Sequence, residues 1–343
     1  MTDLHTEPAA RPVPANATAM ATGARSLTSR TWFWIAIIDI ALVVLFGFLS
    51  PDYAFFDIES FKNLAADSSE ALLLTTAVAL SMSAGELDIS LGANLILSSV
   101  IGGKVMLALA GSGIGLAIVV GILACVATGA AIGLANGLVV ARMRVNSLIT
   151  TLAATGIATG IALLITDGAD LAGLPENLQS GFGNRAVLDL LPLPAFVALV
   201  FFGIAWFAVA KTRPGVHLLA MGSSRDSALR SGLRVTKILI VLFVVMGALA
   251  GVAALIDLSR FGTTNVAGHQ ADALAALGAA VIGGTSLYGG TISMPGALLG
   301  TLLAVILQDG LVVVGLSPFY QLIATGVVLV MAVWLDQRRK PRQ

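Results

Sequence analysis

The chain has 343 residues, of which 57% are hydrophobic and 11% charged, and its 19 basic and 19 acidic side chains leave no net charge. A soluble domain carries about 25% charged residues, so this composition excludes a disordered chain, a collagen-like fibre and a nucleic-acid-binding surface. The apolar stretches are continuous and about twice as long as the roughly ten residues of a membrane barrel strand. The sequence therefore predicts an all-α, polytopic membrane protein.

Ten stretches are long and apolar enough to cross a bilayer, which takes about 20 residues per helix. We predict a tail without fold over residues 1–30, a membrane domain over 31–337 and a basic tail over 338–343. The predicted spans are 32–50, 66–83, 90–110, 114–135, 148–166, 191–210, 238–256, 273–287, 294–313 and 319–335.

The distribution of Lys and Arg supports this arrangement, because basic residues accumulate in cytoplasmic loops. With the N-terminus inside, 15 of the 19 basic residues fall on the cytoplasmic side, and the other 4 are Lys62, Lys104, Arg185 and Arg260. Acidic residues show the opposite bias and are assigned to the outer side, among them Asp67, Glu70, Asp257 and Asp272. We expect both termini to be cytoplasmic.

The longest cytoplasmic loop, residues 211–237, contains six basic residues and one acid, Asp226. Ser224 is a typical helix-capping residue, and Ser231-Gly232 is a stop signal, so the loop is predicted to contain a short amphipathic helix. Such a helix would present a surface to a soluble partner. The alternative is a solvated charged loop, which explains the arginines but not the start and stop signals.

No catalytic or cofactor motif stands out in the chain. Gly102-Gly103-Lys104 lacks the other residues of a phosphate-binding loop, and Gly284–Gly289 has one residue too many for a serine-hydrolase elbow. The three histidines lack metal-ligand spacing, and Cys125 is the only cysteine. We expect a protein that is not an enzyme and that binds no metal or cofactor itself.

One segment in the first half of the chain carries a specific resemblance. Gly85-Glu86-Leu87-Asp88-Ile89-Ser90-Leu91-Gly92 resembles the signature of the ribose-type sugar permeases, the membrane subunits of bacterial ABC importers. Further segments follow in that family's order: Asn136–Leu152, Ala220–Val235, Val281–Gly290 and Gly315–Phe319.

The resemblance implies a multi-pass protein of the bacterial inner membrane that carries a monosaccharide, with a pentose as the first expectation. Its implied partners are an ABC ATPase subunit that holds ATP and Mg²⁺, a periplasmic sugar-binding protein, and a second permease chain, identical or paralogous. The cytoplasmic segment would then be the helix that couples to the ATPase. Its candidate residues are Gly222, Arg225, Asp226, Ser227, Ala228, Leu229, Arg230, Ser231 and Gly232.

Polar residues in or beside the spans are candidates for a transport path or gate, because such residues should face protein or water and not lipid. They are Glu86, Asp88, Ser90, Asn94, Thr285, Ser286, Gln308 and Asp309, with Ser81, Ser83 and Ser98 as further possibilities. Glu86 replaces a glycine of the family signature. Glu86 and Asp88 could cap the next helix, which is the expectation for Asp88, or contact the cytoplasmic machinery. Helix packing is the competing role for the small residues.

Two other functions stay open at this point. A secondary transporter or passive facilitator for a small polar solute would use Asp39 or Asp309 as a proton relay. An exporter or scaffold subunit would share the coupling helix without importing sugar.

Overall fold

The computed structural model describes residues 31–187 and 189–317, together with residues 320, 323, 326 and 327. The predicted tails 1–30 and 338–343, and most of the predicted last span 319–335, lie outside these residues. The described chain is almost entirely helical. Its α-helices are α1 (Thr31–Leu49), α2 (Ile58–Ser83), α3 (Leu91–Leu109), α4 (Ile114–Arg142), α5 (Ser147–Thr166), α6 (Glu176–Leu178), α7 (Leu193–Lys211), α8 (Arg213–Ser223), α9 (Arg225–Arg230), α10 (Val235–Phe261), α11 (Asp272–Ile282) and α12 (Met294–Val313).

Short elements connect these helices. Three 3-10 turns cover Pro51–Phe56, Ala110–Ser112 and Gly268–Ala271, and a π turn covers Gln179–Gly183. A small antiparallel ladder that the sequence analysis did not predict pairs β1 (Ala186–Val187) with β2 (Leu191–Pro192).

Seven helices in the described part of the chain are long and apolar enough to cross a membrane: α1, α3, α4, α5, α7, α10 and α12. The expectation of an all-helical polytopic membrane protein is therefore confirmed. The predicted span 273–287 is wrong as a single membrane-spanning helix, because α11 ends at Ile282 and its 11 residues extend only about 16 Å. α2 is long enough, with 26 residues, but Asp67, Glu70 and several serines reduce its apolar character.

Two long helices, α4 and α10, form the central antiparallel pair, and glycines line their contact. Gly129 lies against Gly247, and Gly133 lies against Phe243, so the two helices run in opposite directions with backbones in direct contact. A Cβ atom added at Gly129 or Gly133 would clash with a carbonyl oxygen of α10. The prediction that the Gly129–Gly137 run is a packing contact is confirmed, as expected where small residues let membrane helices approach closely.

Burial separates the centre of the bundle from its periphery. In the most apolar 18-residue stretch of α10, 67% of the residues are buried. The corresponding fraction in α4 and in α5 is 22%. The outward faces of the peripheral helices expose large apolar side chains such as Leu123, Leu152 and Leu164. These faces have the composition that contact with lipid requires.

The α4–α10 contact makes a prediction about stability. Gly133→Ala should lower the thermal unfolding midpoint of the detergent-solubilised protein by about 5 °C or more, because the added methyl group overpacks the contact. The control is Gly160→Ala on α5, where nothing lies within 4 Å of an added Cβ. Size-exclusion thermal melts that show the same midpoint for both variants would contradict this account of the helix pair.

Candidate functional site

The predicted coupling helix is present as α9, and its start and end signals are those expected. The Ser224 hydroxyl accepts a hydrogen bond from the Ser227 N–H at 3.3 Å, which caps the helix, and Gly232 has φ +80°, which ends it. Ala228 is buried against the bundle, whereas the other five residues of α9 are exposed. α8, which precedes it in the same loop, was not predicted. We call the end of the bundle that carries residues 211–237 the coupling face.

Three loops meet beside α9 in a contact that we call the coupling junction, formed by Ser83–Glu86, Gly222–Arg225 and Tyr288–Gly290. The N–H of Gly290 donates a hydrogen bond to the Ser83 carbonyl at 2.9 Å. A Cβ atom on Gly222 would clash with that same carbonyl oxygen and would lie 2.7 Å from the Gly290 nitrogen. The junction therefore requires glycine at 222, and it joins the ends of α2, α8 and the loop after α11.

An ion pair adds a side-chain contact to the junction. Arg225 Nη1 lies 3.2 Å from Glu86 Oε1, and the Glu86 side chain is only 11% exposed. Glu86 is the signature residue that departs from the family's glycine, and Arg225 is the first residue of α9. The structure shows neither of the two roles considered for Glu86: its carboxylate contacts Arg225 of the same chain, and contact with a partner protein stays a prediction.

Asp88 and its neighbours fix the start of α3. The Asp88 carboxylate accepts hydrogen bonds from the N–H and the hydroxyl of Ser90, at 2.8 and 2.6 Å, and not from the first-turn N–H groups of the helix. The expectation that Asp88 caps α3 is therefore wrong in detail: the side chain bonds to Ser90, the residue just before the helix, and not to an N–H of its first turn. Burial raises the pKa of the Asp88 carboxyl above its ordinary value, and the bonds from Ser90 offset part of that rise.

The polar residues that follow Asp88 tie α3 to α4. The Asn136 side-chain amide donates to the Ser90 hydroxyl at 3.0 Å, and the Asn94 amide donates to the Gly129 carbonyl at 3.2 Å. Both Asn94 and Ser90 are buried. Their contacts are those of helix packing.

The remaining small polar candidates form hydrogen bonds within their own helix or loop. The Ser81 and Ser83 hydroxyls donate to carbonyls one turn earlier in α2, and Ser98 donates to Asn94. Thr285 accepts from the Ser293 N–H, and Ser286 accepts from the Tyr288 N–H, within the loop between α11 and α12.

A polar cavity of about 870 Å³ opens among α2, α10, α11 and α12. Its lining comes from the halves of α2, α10 and α12 that lie away from the coupling junction, and it includes Gln308 and Asp309. These two residues are the only path candidates listed above that the cavity contains among the described residues. Arg260, which the sequence analysis assigned to the outer side, also lines the cavity.

His269 lies at the centre of a cluster of carboxylates in this cavity. Its Nδ1 is 2.7 Å from Asp272 and 3.1 Å from Glu70, and its Nε2 is 3.3 Å from Asp257, close enough for an ion pair but without hydrogen-bond geometry. Burial alone lowers the pKa of His269, but the carboxylates of Asp257, Asp272 and Glu70 raise it, and the net change is a rise. A second pair joins Arg260 to Asp67 at 2.6 Å.

Glu70, His269 and Asp272 offer three ligand atoms within 4.8 Å of one another, which a metal ion could use. The Nδ1 of His269 already contacts both carboxylates, so a protonated histidine satisfies the group as an ion-pair cluster. The sequence analysis missed this cluster because its members are separated by up to about 200 positions and were counted as loop charges. Polar interruptions in α2 were the available signal.

Residues 60–333 match the family model described as "Branched-chain amino acid transport system / permease component". The chain belongs to this permease family. No solved structure matches it.

Curated relatives align along nearly the whole chain. The ribose import permease protein RbsC of Escherichia coli K12 is 30% identical over 92% of this chain and 98% of its own length. The ribose import permease of Bacillus subtilis is 32% identical over 87% of the chain and 90% of its own length. The D-allose transport system permease protein of Escherichia coli is 30% identical over 90% of both chains. The resemblance to ribose-type ABC permeases is therefore confirmed.

The Glu86–Arg225 pair can be tested by a double-mutant cycle. Glu86→Gln and Arg225→Gln should each lower the unfolding midpoint by about 2 °C, and the double variant should fall by little more than either single variant. The matched control is the exposed pair Glu59–Lys62, whose charged atoms are 2.7 Å apart. Its two Gln variants should change the unfolding midpoint little, and their effects on the midpoint should be additive. Additive losses at Glu86 and Arg225 would show that the two side chains do not interact.

Proposed function

We propose that this chain is the membrane permease subunit of an ATP-binding-cassette importer that passes a monosaccharide from a periplasmic binding protein to the cytoplasm. Energy would come from a separate ATPase subunit that binds α9. The observation that carries the proposal is the coupling junction: an exposed helix is held by its inner side to the ends of the helices that form the polar cavity. A free loop would have no such connection.

The geometry of α9 supports docking of a soluble partner. The helix is short and exposed, and its Leu229 lines a shallow groove together with Leu233 and Ile240. The groove is bordered by Arg142, Arg234 and Lys237. A groove with an apolar floor and a charged rim is the usual composition of a protein interface. ATP and Mg²⁺ would be bound by that partner, and this chain would have no ATPase site of its own.

The substrate class follows from the relatives. Their names include ribose, allose, L-arabinose and galactose, which are pentoses and hexoses. We therefore restrict the proposal to a neutral monosaccharide, because these names do not favour a pentose over a hexose.

The proposed arrangement places the coupling face in the cytoplasm and the cavity toward the periplasm of a bacterial inner membrane. Both termini would be cytoplasmic. α2, the short helix α11 with the loop that follows it, and the region 319–335 would add three crossings to the seven apolar helices and make ten. Two permease chains, identical or paralogous, would form the complete path through the lipid bilayer.

The docking proposal predicts the effect of reversing one charge. Asp226→Lys should reduce co-purification of the cognate ATPase by about tenfold or more, because it replaces the only acid of a loop that holds six basic residues. Gly232→Val should have the same effect, since Gly232 has φ +80° and open space around it, so backbone strain alone would displace the helix end.

The matched control is Glu176→Lys, which reverses an exposed acid at the start of α6. It should leave co-purification unchanged, and all variants should insert in the membrane at wild-type levels. Equal recovery of the ATPase with Asp226→Lys and Gly232→Val would contradict docking at α9. Solute uptake by the chain alone in proteoliposomes under a proton gradient would favour a secondary transporter instead.

A further inference from the structure

We infer that the polar cavity is a binding site for one uncharged, polyhydroxylated solute and that its carboxylates exclude anionic sugars. The inference rests on the proposed function and specifies where, within this chain, the solute is held. At about 870 Å³ the cavity lies within the roughly 300–1,000 Å³ range of small-molecule sites.

The charge of the lining favours hydroxyl donors. Six carboxylates face two basic groups, Arg260 and His269; the six are Asp67, Glu70, Asp170, Asp257, Asp272 and Asp309. An ionised carboxylate only accepts hydrogen bonds, and each hydroxyl of a sugar can donate one. A phosphate or carboxylate on the sugar would instead meet an excess of like charge in a partly buried site.

Ion pairing within the protein uses part of this acceptor capacity. Asp67 pairs with Arg260, Glu70 and Asp272 contact His269 Nδ1, and Asp170 accepts a hydrogen bond from the Val266 N–H at 2.8 Å. The contacts of His269 hold the loop 262–271 against α2 and α11, the Asp170 contact holds it to the segment after α5, and the Asp67–Arg260 pair joins α2 to α10. They explain those four carboxylates as structural groups.

Two buried side chains of the lining keep unused hydrogen-bonding capacity. Asp257 is 1% exposed, and its Oδ1 lies 3.3 Å from His269 Nε2, but within the described residues neither of its carboxylate oxygens accepts a hydrogen bond. Thr75 is also 1% exposed, and its hydroxyl has no hydrogen-bond partner in the same part of the chain. A buried polar group without a partner is costly, so a ligand that supplies donors and acceptors would be favoured here. Asn63, Asn265 and Gln308 add neutral groups to the same lining.

The cavity is also connected to the coupling junction. Thr75 and Ser83 are eight residues apart on α2, so the floor of the cavity lies about 12 Å from the junction. α11 makes a second connection, because Asp272 begins it and the loop after Ile282 leads to Gly290. A solute in the cavity would therefore contact α2, which ends at the junction, and α11, whose following loop reaches it.

The test uses the full chain in lipid nanodiscs and saturation-transfer NMR, which detects weak binding without the binding protein. The probes are two matched pairs: D-galactose with D-galacturonate, and D-ribose with D-ribose 5-phosphate. We expect signals from the neutral sugars and signals about tenfold weaker, or none, from the anionic partners. Asp257→Asn and Thr75→Val should each weaken the neutral signals by about tenfold.

The two variants should differ in their selectivity, which a merely structural effect would not produce. Asp257→Asn removes a negative charge and should lower the ratio of the galactose signal to the galacturonate signal. Thr75→Val should leave that ratio unchanged. Asp52→Asn, on an exposed turn outside the cavity, is the matched control and should behave as wild type. Size-exclusion profiles identify a variant that fails to fold. The binding data of the other variant then test the inference.

Three results would overturn the inference: equal signals from neutral and anionic sugars, no signal from any sugar, or wild-type signals in both variants. Loss of the neutral signals on treatment with EDTA would also overturn it, because the site would then be a metal site at Glu70, His269 and Asp272. These outcomes are independent of docking at α9. If Asp226→Lys releases the ATPase while no sugar binds in the cavity, the proposed function stands and this inference fails.

Discussion

The close backbone contact at Gly222 is the constraint on which the rest of this account depends. The Ser83 carbonyl accepts a hydrogen bond from Gly290 and lies directly against Gly222, so three loops share a volume that leaves no room for a Cβ atom. Because packed backbone is hard to deform, a displacement of the segment that carries α9 would be passed to the ends of α2 and α11. The Glu86–Arg225 ion pair adds a side-chain interaction to the same contact.

The junction and the cavity lie at opposite ends of the same two helices. α2 carries Glu70 and Thr75 in the cavity and Ser83 in the junction, while α11 begins at Asp272 in the cavity and leads to the loop of Gly290. The pair α4–α10 forms a packed support beside them, with glycines that bring the two backbones together. In the proposed importer, this arrangement would let an event at the ATPase change the shape of a solute compartment deep in the bundle.

The sequence predicted the features that depend on local signals. Continuous hydropathy predicted the seven apolar helices, and Ser224 with Gly232 predicted α9, because capping and chain reversal are properties of a few adjacent residues. The span at 273–287 was wrong because a half-length helix followed by glycine-rich loop has the same average hydropathy as a span. The hydrogen-bond donors to Asp88 were predicted wrongly, because the side-chain rotamer decides whether its carboxylate accepts from Ser90 or from the N–H groups of the helix.

The polar cavity could not be predicted in this way. Asp67, Asp257, His269 and Asp309 lie far apart in sequence, and each alone resembles a loop charge or an isolated intramembrane acid. Only the packing of α2, α10, α11 and α12 brings them together. Arg260 then pairs with Asp67, and His269 pairs with Asp257, Glu70 and Asp272, so two basic side chains neutralise part of this acidic group.

Substrate-stimulated ATP hydrolysis by the assembled complex with Gly222→Ala tests the central claim most directly. The added methyl group should break the coupling junction without removing any exposed residue of α9, so the ATPase should stay bound while stimulation by the loaded binding protein is lost. Gly203→Ala on α7, where an added Cβ meets nothing within 4 Å, should keep wild-type stimulation. Full stimulation with Gly222→Ala would contradict the claim that this contact links the ATPase to the transport path.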